Sequence, residues 1–207
     1  MNSDKPLSVT TVLATLGWNK GPLMAWANRC GLEGKKHWQV AGEAAQAGTV
    51  LHSMIDVYLK GRQFTRGQYD QALVTQAEKS FQGFLTWQDS VGLKVRGTEV
   101  NLASSHYGYQ GTLDCVGTLQ GGLAVLDWKN SPRLYPEALI QLAAYGVLWR
   151  ENFPAEPLSG GFHLLRIGSD GAFDHHRWAE LPEAFAVFEK LLEIYKLRPQ
   201  LKGLLAS

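Results

Sequence analysis

Asp127 and Lys129 stand two residues apart at the end of the run Leu-Ala-Val-Leu-Asp-Trp-Lys (123–129). On an extended strand that spacing points both side chains to one face. A second acid, Asp114, closes the preceding run Gly-Thr-Leu-Asp (111–114). Two carboxylates and an ammonium brought together suit a divalent cation. Oxygen donors with some retained waters favour Mg²⁺ or Mn²⁺. Such an ion polarises a phosphate and lowers the pKa of an attacking water. Lys129 adds positive charge and could orient or deprotonate that water.

Whether Asp114 joins this group depends on one turn. Tyr109–Leu119 and Leu123–Lys129 read as strands of a hairpin around Gln120-Gly-Gly. With Gln120 and Gly121 as a two-residue loop, Leu119 pairs with Gly122 and Asp114 stands opposite Asp127. With Gly121 and Gly122 as the loop, Asp114 faces Lys129 and Asp127 lies on the diagonal. A three-residue loop would put the two acids on opposite faces. In the first register the carboxylates have Cβ atoms only ~5 Å apart, which requires a compensating charge. Leu123 to Leu126 is apolar on both faces, as in a central strand covered on both sides. Charges at the end of such a strand lie where α/β active sites sit.

The elements that must hold these residues follow from periodicity. Ser8 or Thr10 can cap a short helix to Leu16, and Gly21-Pro22 opens a second to about Asn28. Glu43 to Lys60 carries Leu51, Met54, Ile55, Tyr58 and Leu59 at helical spacing, and Gly67 to Val91 reads as another helix. After Gly92 the period changes to that of strands, beginning with Val95–Ala103. Pro136 opens a helix to about Arg150. Gly161–Ile167 and Ala172–Trp178 make a second hairpin, and Pro182 to Leu197 closes the chain. The expectation is an α/β fold: a central mixed β-sheet flanked by helices, with a mainly helical part over 1–92 and an α/β core over 93–207, forming one domain.

These runs, in this order, resemble the RecB-type branch of the PD-(D/E)XK nuclease superfamily. The resemblance rests on Gly-Thr-Leu-Asp (111–114), Leu-Asp-Trp-Lys (126–129), Gln141-Leu-Ala-Ala-Tyr145 and the upstream Gly48-Thr-Val-Leu-His52. The early Ser-Val-Thr-Thr-Val-Leu and the Leu-x-x-Trp at 23–26 are similar to phage-type and mitochondrial genome-maintenance exonucleases of that branch. The resemblance implies a restriction-endonuclease-like core and a metal-dependent DNA exonuclease of recombination, repair or phage replication. It implies metal ligation by His52, Asp114, Asp127 and the Trp128 carbonyl, with Lys129 as the catalytic lysine. Gln141 and Tyr145 would lie beside the DNA, and their spacing does place them on one helical face. Glu99 matches an acidic position of the first strand that could hold a second metal or a water. It reads equally as an exposed strand residue.

Other residues carry two readings. Tyr145 also suits a core position, whereas a buried Gln141 amide needs partners. Asp56, one turn after His52, could orient the imidazole or face solvent. Arg133 and Ser131 follow the catalytic strand directly and are candidates for nucleic-acid contact. Trp18, Trp26 and Trp38 could stack on unpaired bases, though helix packing is expected of at least two. His175 and His176 are adjacent on a strand, point to opposite faces and read as surface residues.

The net charge of +1 means that any grip on DNA, single- or double-stranded, comes from a local basic surface or from metal ions. Many relatives bind an iron–sulfur cluster through four cysteines; with only Cys30 and Cys115, no such cluster is expected. No helicase motif is present, so unwinding would need a helicase or recombination protein as partner. The start MNSDKPLSVT does not read as a signal peptide, and no apolar run reaches the ~18 residues of a membrane span. The expected setting is a reducing cytoplasm, away from membranes. Two competing readings are a catalytically inactive DNA-binding or scaffold module on the same fold, and a phosphoesterase acting on nucleotides.

Overall fold

The computed structural model describes residues 7–205, apart from the side chain of Lys202. The leader reading of the first ten residues therefore falls mostly outside it. In chain order the elements are β1 (Leu7–Ser8), α1 (Val9–Leu13), α2 (Lys20–Leu32), α3 (His37–Leu59), α4 (Gln71–Val91), β2 (Lys94–Ser104), β3 (Tyr109–Leu119), β4 (Gly122–Asn130), α5 (Pro136–Asn152), β5 (Gly161–Ile167), β6 (Phe173–Trp178) and α6 (Pro182–Leu204). They form a mixed six-stranded sheet with helices on both faces, as expected of a restriction-endonuclease-like core.

Alternation along the strands splits the core in two. Val116 and Val125 face α1, α5 and α6. Cys115, Ala124 and Leu126 face α3 and α4. This double cover explains the unbroken apolar run of β4. No helix of the described residues is long and apolar enough to cross a membrane.

Helix ends differ from expectation for local reasons. Ser8 caps α1, its hydroxyl accepting from the Thr11 amide. α3 starts at His37 rather than Glu43, because residues 41–49 are rich in good helix formers such as Ala, Glu and Gln. α4 starts later than expected, where the Asp70 carboxylate accepts from the amides of Ala72 and Leu73. α6 continues past Leu197 and through Pro199.

The β3–β4 turn resolves the register. Gln120 and Gly121 both have positive φ (49° and 85°), and Leu119 pairs with Gly122. This is the two-residue loop that sets Asp114 opposite Asp127. The ladder stops, however, at Cys115 and Leu126. β2 occupies the whole other edge of β3, so β1 and β4 share the remaining one: β1 at Tyr109 and Gln110, β4 from Cys115 onward. Among the described residues, no strand pairs with 111–114 on that edge. β3 and β4 therefore fork, and the fork opens the sheet beside Asp114, Asp127 and Trp128.

Candidate active site

The fork leaves backbone groups to be answered by side chains. Continuing the register would set Leu113 opposite Trp128; instead Asp114 Oδ2 accepts from the Trp128 amide (2.9 Å). The Trp128 carbonyl, expected as a metal ligand, accepts from His52 Nε2 (3.1 Å). His52 reaches it from α3, on the opposite side of the sheet from Lys129's partners on α5. A gap in the sheet is what allows groups from both faces to meet.

Since a carbonyl only accepts, His52 Nε2 carries the hydrogen. Its Nδ1 then faces Asp114 Oδ1 at 3.5 Å. Two lone pairs facing one another need a proton or a cation between them. A histidine whose other N–H is held by a backbone carbonyl is the usual state of a metal-ligating imidazole. Burial disfavours the imidazolium, but the Asp114 carboxylate outweighs this and raises the His52 pKa. Burial likewise pushes Asp114 upward, and His52, Lys129 and the Trp128 amide together bring it below the usual range.

Glu99 completes a cluster with these two. Donor atoms of His52, Glu99 and Asp114 all lie within 4.8 Å of one another. Thr98 pairs with Cys115 and Val100 with Leu113, so Glu99 sits opposite Asp114. Its φ of 50° is unusual for a residue with a side chain and marks local strain at the site. Burial, then the charge of Asp114, raises its pKa.

Asp127 is fully buried. Its Oδ2 lies 2.7 Å from Lys129 Nζ, while Oδ1 has no partner. Burial raises its pKa to about 6 even against the pull of Lys129. For Lys129, burial works against the ammonium, but Asp127 and Asp114 prevail and its pKa is raised. Lys129 Nζ also donates to Gln141 Oε1 (2.7 Å), and Gln141 Nε2 donates to the Tyr145 hydroxyl (2.7 Å). Both ends of the half-buried amide are thus used, which answers the need for partners. Tyr145 is buried, as a core reading would have it, yet its hydroxyl belongs to this chain of contacts.

Gly111, at the head of Gly-Thr-Leu-Asp, is required by the same ring. A Cβ there would lie 2.7 Å from Tyr145 Cε1. That role was readable in principle, because glycine inside a strand often marks a close approach.

Other candidates fall elsewhere. Asp56 does not orient His52; it accepts from Thr98 (2.5 Å) and pairs with Lys60 (2.7 Å). Ser131 donates to the Arg133 carbonyl, holding the turn after β4. The Arg133 guanidinium lies over the Tyr135 ring, 5.0 Å from its centroid. The tryptophans depart from the packing expectation: Trp18 and Trp38 are each 61% exposed. His175 is not a surface residue either. It is half-buried, with Nε2 2.8 Å from His163 Nδ1.

The donor set fits a divalent cation. Among the described residues it consists of the Glu99 and Asp114 carboxylates and the oriented His52 imidazole; Asp127, expected as a ligand, falls outside that cluster and pairs with Lys129.

Neither a family model nor a curated protein matches the chain. Among solved structures, a candidate exonuclease from Eubacterium rectale is similar, with 16% identity and a TM-score of 0.46. That match covers 70% of this chain and 64% of the other, so the chain spans less than two thirds of its length. LHK-Exo in complex with dAMP is similar at 13% identity and a TM-score of 0.46, over 96% of this chain and 91% of the other. At such scores the chemistry has to be argued from the chain's own residues.

Proposed function

We propose that this chain is a divalent-metal-dependent DNA nuclease of the PD-(D/E)XK kind, RecB-type branch, acting as an exonuclease in recombination, repair or phage replication. The observation that carries the reading is the convergence of the His52, Glu99 and Asp114 donor atoms within 4.8 Å of one another. They lie next to the pair of buried Asp127 with Lys129 that flanks Trp128, whose amide donates to Asp114. His52, Asp114, Asp127 and Glu99 would hold Mg²⁺ or Mn²⁺. The Trp128 carbonyl, which fixes the imidazole's tautomer, is the remaining oxygen donor of the group. When bound, the cation supplies Lewis-acid polarisation of the phosphate and a lowered water pKa.

The chain's own residues do the rest. The Lys129 ammonium, steered by Asp127 and Gln141, donates hydrogen bonds to phosphoryl oxygens as charge develops on them. Gln141 and Tyr145 keep that amine in one rotamer. Water adds to phosphorus as it gives up a proton to solvent. The bond to the leaving sugar oxygen breaks, and that oxygen takes a proton from solvent. Lys129, held as an ammonium, orients rather than deprotonates the water. Two free, buried cysteines accord with a reducing, cytoplasmic setting. We further propose that the helical and α/β parts act as one nuclease domain, supplied with ends by a helicase or recombination protein.

A polymer is favoured over a free nucleotide by the surroundings of Lys129. The pocket lined by Lys129, Ser131 and Gln141 is open and shares Tyr135 and Glu137 with a larger cleft. A nucleotide phosphoesterase would enclose its substrate. The test is cleavage of end-labelled single- and double-stranded DNA with Mn²⁺. Lys129→Ala and Asp127→Ala should each lower the rate at least ~10³-fold while the chain stays folded. Full activity in either variant would end the proposal, and metal-dependent binding without cleavage by the wild type would favour an inactive DNA-binding module.

A further inference from the structure

The larger cleft, of about 760 Å³, lies between the loop before α2, α2 itself and the start of α5. Its lining presents large aromatic rings to solvent: Trp18 is 61% exposed and Tyr135 40%. Exposed aromatic surface gathered in one cleft is where soluble proteins bind partners or ligands. Arg29 and Arg133 line the same cleft. Neither forms an ion pair with a carboxylate among the described residues. Glu137 is the one acidic lining residue, so positive charge prevails. A smaller pocket, which Tyr135 and Glu137 also line, reaches Lys129 and Gln141.

We infer that this cleft is a subsite for unpaired nucleotides of a single DNA strand, whose bases stack on Trp18 and Tyr135 while Arg29 and Arg133 meet the phosphates. The inference rests on the nuclease reading and adds the form of the substrate. Stacking is the interaction an exposed ring offers to any base, and Arg133, already over the Tyr135 ring, adds a cation to the stack. Duplex DNA buries its base faces against one another and has none to present. An apolar peptide would match the rings but find no use for the positive charge of Arg29 and Arg133. Phosphates on both sides of each stacked base supply it, and the same strand runs on to Lys129.

The experiment is a binding titration in EDTA, where no cleavage is needed, using oligo(dT) and an abasic strand of equal length. Each stacked base is worth ~10-fold in affinity, so the wild type should prefer oligo(dT) by about 100-fold. Trp18→Ala and Tyr135→Ala should each remove about tenfold of that preference, and Trp18→Phe and Tyr135→Phe should retain it. Arg29→Ala should weaken both strands alike and lower the salt dependence by about one phosphate contact. Because these side chains are exposed, melting curves should match the wild type. Equal wild-type affinity for the two strands, or for duplex and single strand, would overturn the inference while leaving any measured cleavage in place. So would a dimer in sedimentation that Trp18→Ala dissolves, since a second copy would then be the occupant. A wild type that keeps the base preference but cuts no DNA with Mn²⁺ would support the cleft and sink the nuclease reading.

Discussion

Two regions at the sheet hold histidine side chains in the same tautomer, His52 half-buried and His163 buried, and their surroundings differ. In each, Nε2 reaches a backbone carbonyl: Trp128 for His52, Gly160 for His163. In each, therefore, Nδ1 of the neutral ring is a lone pair. For His163 that lone pair meets His175 Nε2 at 2.8 Å, and the His175 N–H satisfies it. For His52 it meets a carboxylate oxygen. Burial, followed by neighbouring cationic side chains, lowers the pKa of His175 to about 4. Burial lowers that of His163 too. At His52 the carboxylates overcome burial and the shift is upward. Burial alone therefore does not set the character of a histidine. What separates the two is whether the second nitrogen faces a donor or an acceptor.

Exchanging the perturbation between the two regions should separate their roles. The largest effect is on turnover. His52→Ala should lower Mn²⁺-dependent DNA cleavage at least ~100-fold, whereas His163→Ala should leave it within about twofold. His163 is 4% exposed, so its loss instead costs about 2 kcal/mol of stability through a cavity and an unanswered carbonyl. Chemical denaturation reads that difference, and a His163 variant that is stable but inactive would erase the distinction.

Next in size is the response to metal. Mn²⁺ at about 100 times its Kd should stabilise the wild type by about 2.7 kcal/mol, or roughly 5–10 °C in melting temperature at this chain length. His175→Ala should keep the shift and His52→Ala should lose most of it. Equal shifts in both would place the ion elsewhere.

The smallest effect is on acid stability. The folded pKa values of His163 and His175 lie below their unfolded value of ~6.5, so the unfolded chain binds more protons between about 6.5 and about 4. The pair's contribution is complete above that window and is lost as pH falls through it. Melting curves from pH 7 to 4.5 should therefore fall less steeply for His175→Phe than for the wild type. Parallel slopes would show that the pair remains charged in the folded state.

Much of this was legible from local patterns. The alternation of β4, the two-residue turn at Gln120-Gly121 and the i,i+4 spacing of Gln141 and Tyr145 are short-range features. Each follows from backbone geometry that a few adjacent residues impose. That reasoning left Asp114 opposite Asp127, opposite Lys129 or on the other face, and the observed turn selects the first. The fork that ends the ladder one residue short was not foreseen, because β1 arrives from a hundred residues away to share the edge of β3. For the same reason Asp56 and His175 were misread: Thr98 and His163, their partners, come from other elements.

By itself, then, the order of residues determined the strands and the shared face of Asp127 and Lys129, since these depend on a period of two, while it left open the register that brings in Asp114. Only the tertiary structure decided that His52 from one layer and Lys129 with Gln141 from the other would meet through an opening in the sheet, and that Glu99 would be bent into the same place. Those meetings depend on long-range packing and loop closure, which no local period encodes.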